Sequence, residues 1–334
     1  MHGTKRSWTR LAVLAVAGTV LLAGCGGKDN DKADGELKKV TLVLDWTPNT
    51  NHTGLYVAQE QGLWKKHGLD VEIILPPEAG ASALVAGGTA EFGIGAQESM
   101  ILAREQGLPL VSIAPIIQHN TSGFASPIDK GIKEPKDFEG RTYGGWGSPA
   151  EEAVIGSIMN VQSADVKKVK FVNAGSADFF SAVKNDIDFE WIFYGWTGIE
   201  AELRGEPVNM VYLTDYSKQL DYYTPLILTS EKVIKAQPDV VRAFLAGASE
   251  GYEYAIANPD AAADVLIKAV PEINAELVKA SQKWLSPKYK DDAPRWGEQK
   301  LEVWAGYGDW LKQNKLMEKD LDYGEMFTTE FLPE

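Results

Sequence analysis

The sequence of 334 residues contains a single cysteine, Cys25, and only four histidines. One cysteine excludes a disulfide within the chain and a thiolate metal cluster. The histidines lie at positions 2, 52, 67 and 119, which is not the spacing of a metal site. The chain also lacks a P-loop and a dinucleotide-binding fingerprint. No metal, no cofactor and no catalytic residue are therefore predicted.

Positive charge is also scarce, with 33 Lys and Arg against 47 Asp and Glu and a net charge of −14. Residues 1–24 carry Lys5, Arg6 and Arg10 and no acid, so the remainder is more acidic still. This balance argues against nucleic acid and against polyanionic ligands. It suits an exported domain that binds a neutral or cationic small molecule.

The N-terminal segment has the features of a lipoprotein signal. Leu11–Leu22 is apolar but too short to span a bilayer, and basic residues precede it. Leu22-Ala23-Gly24-Cys25 resembles the bacterial lipobox, in which the signal is cut before the cysteine and the cysteine is lipidated. We expect a signal peptide at 1–24, lipidation of Cys25 and a flexible polar tether at 25–37. The protein would be lipid-anchored on the extracytoplasmic face of the cell membrane.

Beyond the tether, strand and helix patterns alternate, which predicts an α/β fold. The length suits two domains rather than one core. The polar stretch 119–131 predicts a crossing between lobes, and 222–229 predicts the return. We therefore expect lobe 1 at 38–121 and 225–334 and lobe 2 at 122–224, with a hinge between them. A monomer is expected.

The most informative stretch, at positions 40–56, reads VTLVLDWTPNTNHTGLY. An apolar run of strand formers is followed by a turn and then by a helix. Ligands in α/β sheets lie beyond the carboxyl ends of strands. The candidate ligand-binding residues here are Asp45, Trp46, Asn49, His52 and Tyr56. The alternative is a surface turn whose aromatic residue packs on the core.

A second candidate, at positions 189–196, reads FEWIFYGW. Alternation places Glu190 and Tyr194 on one side of the strand, and Trp196 follows its end. An acid in an aromatic strand is costly unless it has a partner or reaches a cleft. The alternative is a Glu at an edge, either salt-bridged or solvated. Tyr222 and Tyr223, at the return crossing, would either line the cleft or pack the hinge. Trp146 and Ser148 are weaker candidates.

Three blocks carry a resemblance to a known family: VLDWTPNTNHTGLYVAQEQGLW, AEFGIGAQES and FEWIFYGWTGIE. They resemble the family shared by bacterial pyrimidine-precursor binding proteins and yeast-type thiamine pyrimidine synthases. The resemblance implies a two-lobed periplasmic-binding-protein fold of type II, with a mixed sheet and flanking helices in each lobe and the ligand in the cleft. It also implies an ABC permease and ATPase as partners and a role in thiamine salvage.

The expected cargo is N-formyl-4-amino-5-aminomethyl-2-methylpyrimidine or a close relative. Glu190 would accept a hydrogen bond from its exocyclic amine, and Trp46 with an aromatic of the second lobe would sandwich the ring. Riboflavin or another heterocycle is an alternative cargo. A synthase that consumes a histidine and pyridoxal phosphate is the other alternative. The synthases' cysteine-rich segment is absent, which argues for binding without catalysis.

Overall fold

The computed structural model describes residues 36–175 and 178–334. The predicted signal peptide, the lipidation site Cys25 and almost all of the tether lie outside these residues. Within the described ranges, no helix has both the length and the apolar character needed to cross a membrane.

The described strands form two five-stranded sheets. The first sheet contains β1 (Lys38–Val43), β2 (Leu69–Ile74), β3 (Phe92–Gly95), β4 (Leu110–Pro115) and β10 (Leu226–Ser230). The second sheet contains β5 (Ser122–Pro127), β6 (Thr142–Gly145), β7 (Lys170–Asn173), β8 (Phe189–Phe193) and β9 (Val208–Tyr212). The predicted mixed α/β fold with two sheets is confirmed.

The two sheets have the same topology. Their strand orders are β2–β1–β3–β10–β4 and β7–β6–β8–β5–β9. In each sheet the first three strands are parallel, and the fourth is antiparallel to both of its neighbours. Strands β1 and β6 therefore occupy equivalent positions, as do β3 and β8.

Twelve α-helices accompany the described strands. They are α1 (Thr53–Glu60), α2 (Leu63–Lys66), α3 (Gly80–Ala86), α4 (Gln97–Glu105), α5 (Pro149–Val161), α6 (Phe179–Ala182), α7 (Ile199–Arg204), α8 (Glu231–Ala236), α9 (Pro238–Ala257), α10 (Pro259–Ala269), α11 (Ala275–Leu285) and α12 (Leu301–Gln313). A π-helical turn, Tyr194–Gly198, joins β8 to α7. Helices α5, α9 and α10 begin with proline, where the missing amide donor costs little.

Close packing of α1 against α9 fixes the helix that follows the first strand. A Cβ atom on Gly54 would lie 2.4 Å from the ring of Tyr252, and one on Gly251 would lie 2.1 Å from the carbonyl oxygen of Gly54. Glycine at both positions lets the two helices approach this closely. The turn between β1 and α1 is thereby held against the core of its lobe.

One sequence prediction about the crossing is wrong in part. The stretch 119–131 contains β5, which lies between β8 and β9 in the second sheet. Its residues Ser122–Pro127 are nearly all buried, and Phe124 packs edge-on against Phe138 and Phe189. A Cβ atom on Gly123 would lie 2.3 Å from the carbonyl oxygen of Val211, so a small residue is required there. The stretch resembled a loop because Phe124 is the one large apolar residue of a strand otherwise made of Ser, Gly, Ala and Pro.

Two chain segments connect the sheets, and hydrogen bonds join these segments to each other. The first, between β4 and β5, contains His119 and Asn120; the second, between β9 and β10, contains Asp221. His119 Nδ1 lies 2.7 Å from Asp221 Oδ2, and the Asn120 amide donates to Asp221 Oδ1 at 2.8 Å. These bonds support a hinge at the crossings. The exact lobe boundaries stay predictions, since strand membership alone does not assign every helix to a lobe.

Candidate functional site

The turn after β1 is organised around His52, which is fully buried. Its Nδ1 accepts the backbone N–H of Asn49 at 3.2 Å, so Nε2 carries the ring proton. Nε2 lies 2.8 Å from Asp45 Oδ1 and donates to it. Asn49 caps the following turn by accepting the N–H of Asn51 at 2.9 Å. His52 thus fixes the direction of the Asp45 carboxylate.

Trp46 is the exposed aromatic residue of this turn, with 61% of its surface accessible. The backbone of the residues that follow Trp46 is held by hydrogen bonds from two buried tyrosines. Tyr289 donates to the carbonyl of Thr50 at 2.5 Å, and Tyr252 donates to that of Asn51 at 2.7 Å. The alternative in which Trp46 packs on the core is therefore wrong; the ring extends from a rigid turn.

Glu190 lies in β8, paired with Gly144 of β6 and with Ala125 of β5. The residue is 8% exposed and makes no hydrogen bond through its carboxyl group to another described side chain or backbone group. A Cβ atom on Gly144 would lie 2.9 Å from Glu190 Oε1, so glycine leaves room for the carboxyl group. Burial, and then the charge of Asp178, raise its pKa from 4.5 to about 7. The solvated edge position considered from the sequence is excluded.

The π-helical turn after β8 places its aromatic residues against the C-terminal helices. The Tyr194 ring lies 5.3 Å from that of Trp284, and its hydroxyl donates to Glu202. Trp196 is partly buried and packs in one apolar cluster with Tyr56 and residues of α10 and α11. Tyr56 of α1 and Trp196 of the π-helical turn thus belong to one apolar cluster, although they follow strands of different sheets.

Ser281 of α11 joins the turns that follow β1 and β8. Its hydroxyl donates to the carbonyl of Gly195 and lies 2.6 Å from the hydroxyl of Thr50. The two stretches singled out in the sequence are therefore in contact through one side chain. A serine 231 positions from Thr50 gives no sequence signal of this role.

Tyr222 and Tyr223 are both buried and do not present their rings to solvent. The ring of Tyr222 lies 4.2 Å from that of Tyr307. The Tyr223 hydroxyl accepts the N–H of Lys300 at 3.0 Å. These contacts favour the hinge-packing alternative, and a ligand contact by either tyrosine stays a prediction.

Sequence reasoning missed Glu151, which organises the turn after β6. It is buried, accepts the hydroxyl of Tyr143 at 2.7 Å, and accepts the N–H groups of Trp146 and Gly147 at 3.0 and 2.8 Å. The signal was present as the capping-box pattern from Ser148 to Glu151.

Sequence reasoning also missed the partial burial of Glu98, at the start of α4. Burial raises its pKa, and the charge of Glu151 adds to this effect.

A cavity of about 410 Å³ lies beside the segments that cross between the sheets. It is lined by His119, Asn120, Thr121, Tyr212, Thr214, Asp215, Trp284, Lys288 and Asp291. None of the predicted ligand-binding residues lines it. Across residues 36–175 and 178–334, no cluster of three or more His, Cys, Asp or Glu side chains could hold a metal ion.

The architecture is shared with solved periplasmic binding proteins. The periplasmic aliphatic sulphonate binding protein of Escherichia coli superposes with a TM-score of 0.70 at 14% identity, over 89% of this chain and 94% of that chain. The fold is therefore the two-lobed periplasmic-binding-protein fold of type II, as the resemblance implied.

The sequence itself matches the family described as NMT1/THI5 like over residues 49–262, and the chain belongs to this family. A formylaminopyrimidine-binding protein of Halalkalibacterium halodurans is 27% identical over 93% of this chain and 95% of that protein. A 4-amino-5-hydroxymethyl-2-methylpyrimidine phosphate synthase of Legionella pneumophila is 23% identical over 89% of this chain and 93% of that protein. Relatives named for binding and for synthesis thus both resemble this chain.

Proposed function

We propose that the protein captures a thiamine pyrimidine precursor in the interlobe cleft and delivers it to an ABC importer for thiamine salvage. The observation that carries this proposal is the contact of two turns through Ser281. One turn presents Asp45 and Trp46, and the other follows the strand of Glu190. Acid and aromatic groups from both sheets are suited to a flat, amine-bearing heterocycle.

Glu190 is suited to the edge of an aminopyrimidine, which presents an amine donor beside a ring-nitrogen acceptor. As a carboxylate it accepts from the amine, and as an acid it donates to the ring nitrogen. Its pKa of about 7 leaves both forms accessible near neutral pH. Asp45 supplies a second acceptor, Asn49 an amide and Trp46 a stacking surface.

Binding without catalysis is supported by the state of His52. Both ring nitrogens are engaged, one with Asn49 and one with Asp45, and the ring is buried. A histidine held in this way is suited to positioning Asp45 rather than to reacting with a cofactor. The chain also has no cysteine besides Cys25, and so cannot form a cysteine-rich iron site.

The transport assignment adds further expectations. The partners are an ABC permease and its ATPase, and the protein acts as a monomer. Lipidation at Cys25 holds it on the extracytoplasmic face of the cell membrane, with residues 25–37 as the tether. The relative named for formylaminopyrimidine binding, which matches along almost its whole length, supports this cargo class.

A ligand panel tests the cargo. Thermal unfolding is measured with N-formyl-4-amino-5-aminomethyl-2-methylpyrimidine, its deformylated form, thiamine, riboflavin and taurine, followed by calorimetry. The aminopyrimidines should raise the Tm most, because stabilisation grows with the ratio of ligand concentration to Kd. Stabilisation by riboflavin alone would transfer the proposal to that cargo. Release of a pyrimidine product from added pyridoxal phosphate and iron would overturn the binding assignment.

A matched pair of variants tests the cleft. Trp46→Ala should weaken aminopyrimidine binding about 10-fold or more, since stacking on a base contributes about 1–3 kcal/mol. Leu75→Ala removes a side chain of similar exposure, 59% against 61%, after a different strand. It should leave affinity unchanged. Equal affinities for the two variants would remove Trp46 from the site.

A further inference from the structure

Trp146 of the second sheet occupies the position that corresponds to Trp46 in the first. Strands β1 and β6 are equivalent in the two topologies, and each tryptophan follows its strand in the turn before a helix. The exposed fractions are similar, 61% for Trp46 and 51% for Trp146. Each indole thus offers a ring face to a ligand at the same place in its lobe.

The turn that carries Trp146 is rigid. Glu151 accepts its backbone N–H at 3.0 Å, and a Cβ atom on the preceding residue, Gly145, would lie 2.2 Å from Glu151 Oε1. Glycine thus admits the carboxylate beneath the turn. As at Trp46, a half-exposed indole extends from a backbone held by buried hydrogen bonds.

Behind Trp146 lies Trp191 of β8, with ring centroids 5.4 Å apart at an angle of 43°. The Trp191 ring also packs against Phe124, with ring centroids 5.6 Å apart. Trp191 therefore supports the inner side of the Trp146 ring, and the exposed side of Trp146 is left to stack on a ligand.

Helices that accompany the two sheets approach each other beside the turn of Trp146. Glu98 lies at the start of α4, near Glu151. Burial raises the pKa of Glu98, and the negative charge of Glu151 raises it further. Trp310 of α12 donates to the hydroxyl of Ser157 in α5 at 3.0 Å. The N-terminal ends of α4 and α5 therefore lie on the same interlobe boundary, next to the turn of Trp146.

We propose that Trp146 is the second ring-stacking residue of the cleft, opposite Trp46, and that Trp191 holds its ring in position. The ligand class is a flat heterocycle. The inference rests on the proposed function for the location of the cleft, but it does not depend on which heterocycle is bound.

The test is calorimetry of Trp146→Ala and Trp146→Phe with the tightest wild-type ligand among formylaminopyrimidine, its deformylated form, thiamine and riboflavin. Trp146→Ala should weaken binding about 10- to 100-fold, and Trp146→Phe, which keeps a ring, by less than about fivefold. Val161→Ala, at the other end of α5 and 60% exposed, is the control.

The outcomes separate the two proposals. If riboflavin is the only compound that binds and Trp146→Ala weakens its binding, the proposed cargo is contradicted and the role of Trp146 is supported. Tight aminopyrimidine binding that is unchanged in Trp146→Ala would support the cargo and overturn this inference. Equal losses in Trp146→Ala and Val161→Ala would overturn it as well, and a wild-type protein that binds none of the compounds would overturn both. Thermal unfolding of each variant identifies any loss that reflects misfolding.

Discussion

The hydroxyl groups of Thr50 and Ser281 lie 2.6 Å apart, and together they connect the turn after β1 to the turn after β8. Ser281 has one proton, which it donates to the carbonyl of Gly195, so Thr50 must donate to Ser281. The chain Thr50–Ser281–Gly195 is therefore directional and buried. It couples the position of one candidate ligand-binding turn to that of the other.

Removing the Ser281 hydroxyl should loosen this coupling. Ser281→Ala leaves the Gly195 carbonyl and the Thr50 hydroxyl without their buried partner, which should cost about 1–3 kcal/mol of unfolding free energy. If the bridge also favours the binding-competent arrangement, ligand affinity should fall about fivefold, since the ligand must then stabilise that arrangement itself. Urea unfolding and calorimetry measure the two effects.

Ser126→Ala is the matched control. Ser126 is also a buried serine, but its hydroxyl donates to the carbonyl of Ile132 within the second lobe's own chain segment, at 3.2 Å. It should lower stability by a similar amount and leave affinity unchanged. Parallel losses of affinity in both variants would mean that Ser281 contributes stability only.

His52 gives a second prediction. His52→Ala removes a buried ring and leaves the Asn49 N–H and the Asp45 carboxylate without their partner, so unfolding free energy should fall by about 2–3 kcal/mol. Affinity should fall too, because Asp45 is no longer held in one direction. Thermal unfolding and calorimetry are the measurements.

His67 provides the contrast. It is bonded to Glu250 at 2.7 Å, but both side chains are largely exposed. His67→Ala should change stability by less than about 1 kcal/mol, as exposed ion pairs do. A small effect of His52→Ala with retained affinity would show that Asp45 needs no positioning partner.

Local patterns in the sequence were sufficient for the two candidate turns. The apolar run before Asp45 and the acid within the aromatic strand at Glu190 each involve neighbouring residues, so alternation and turn chemistry could be interpreted directly. The structure confirms the strand in both cases and the exposure of Trp46. The ligand contacts themselves stay predictions.

Other features depend on residues far along the chain. Tyr222 packs on Tyr307, and the Tyr223 hydroxyl accepts the backbone N–H of Lys300, which no local pattern could indicate. Strand β5 is defined by its backbone pairing with β8 and β9, because Phe124 is its only large apolar residue. Ser281 has the same property, since its role is defined by Thr50 and Gly195 and not by its own helix.

The hinge histidine predicts a pH effect above neutrality. The hydrogen bond to Asp221 raises the pKa of His119 from 6.5 to about 9, although burial opposes it. Because the folded state binds this proton more tightly, the stabilisation is complete below pH 6.5 and is lost as the pH rises through 9. His119 is partly exposed, so the effect should be about 1 kcal/mol or less.

The measurement is urea unfolding of the wild type and His119→Gln between pH 6 and pH 9.5. The wild-type advantage should shrink across this interval, and 0.5 M salt should reduce it at every pH because the pair is partly exposed. A constant difference between the two proteins would show that the ion pair does not contribute to the stability of the hinge.

Glu190 predicts a pH effect in a lower range. Its pKa is raised from 4.5 to about 7, chiefly by burial, so the folded state again binds the proton more tightly than the unfolded chain does. Wild-type stability should therefore fall as the pH rises from 4.5 to 7, with the full cost present above 7. That cost is on the order of 3 kcal/mol at most. Glu190→Gln keeps the shape without the charge, so it should be more stable than the wild type at pH 8 and nearly equal to it at pH 4.5.

For ligand binding, we expect Glu190→Gln to be worse than the wild type, although it should be more stable at pH 8. Glutamine presents one acceptor and one fixed donor, so Glu190→Gln should bind the aminopyrimidine about 10-fold or more weakly at pH 7, as expected for the loss of a charge-assisted hydrogen bond. Unfolding at pH 4.5 and 8 together with calorimetry at pH 7 separates the two roles. A variant that is more stable at pH 8 and binds as tightly as the wild type would establish Glu190 as a buried acid outside the site. We expect Glu190→Gln to be more stable at pH 8 and to bind more weakly, because the charged Glu190 lowers stability and provides the hydrogen bond that recognises the ligand.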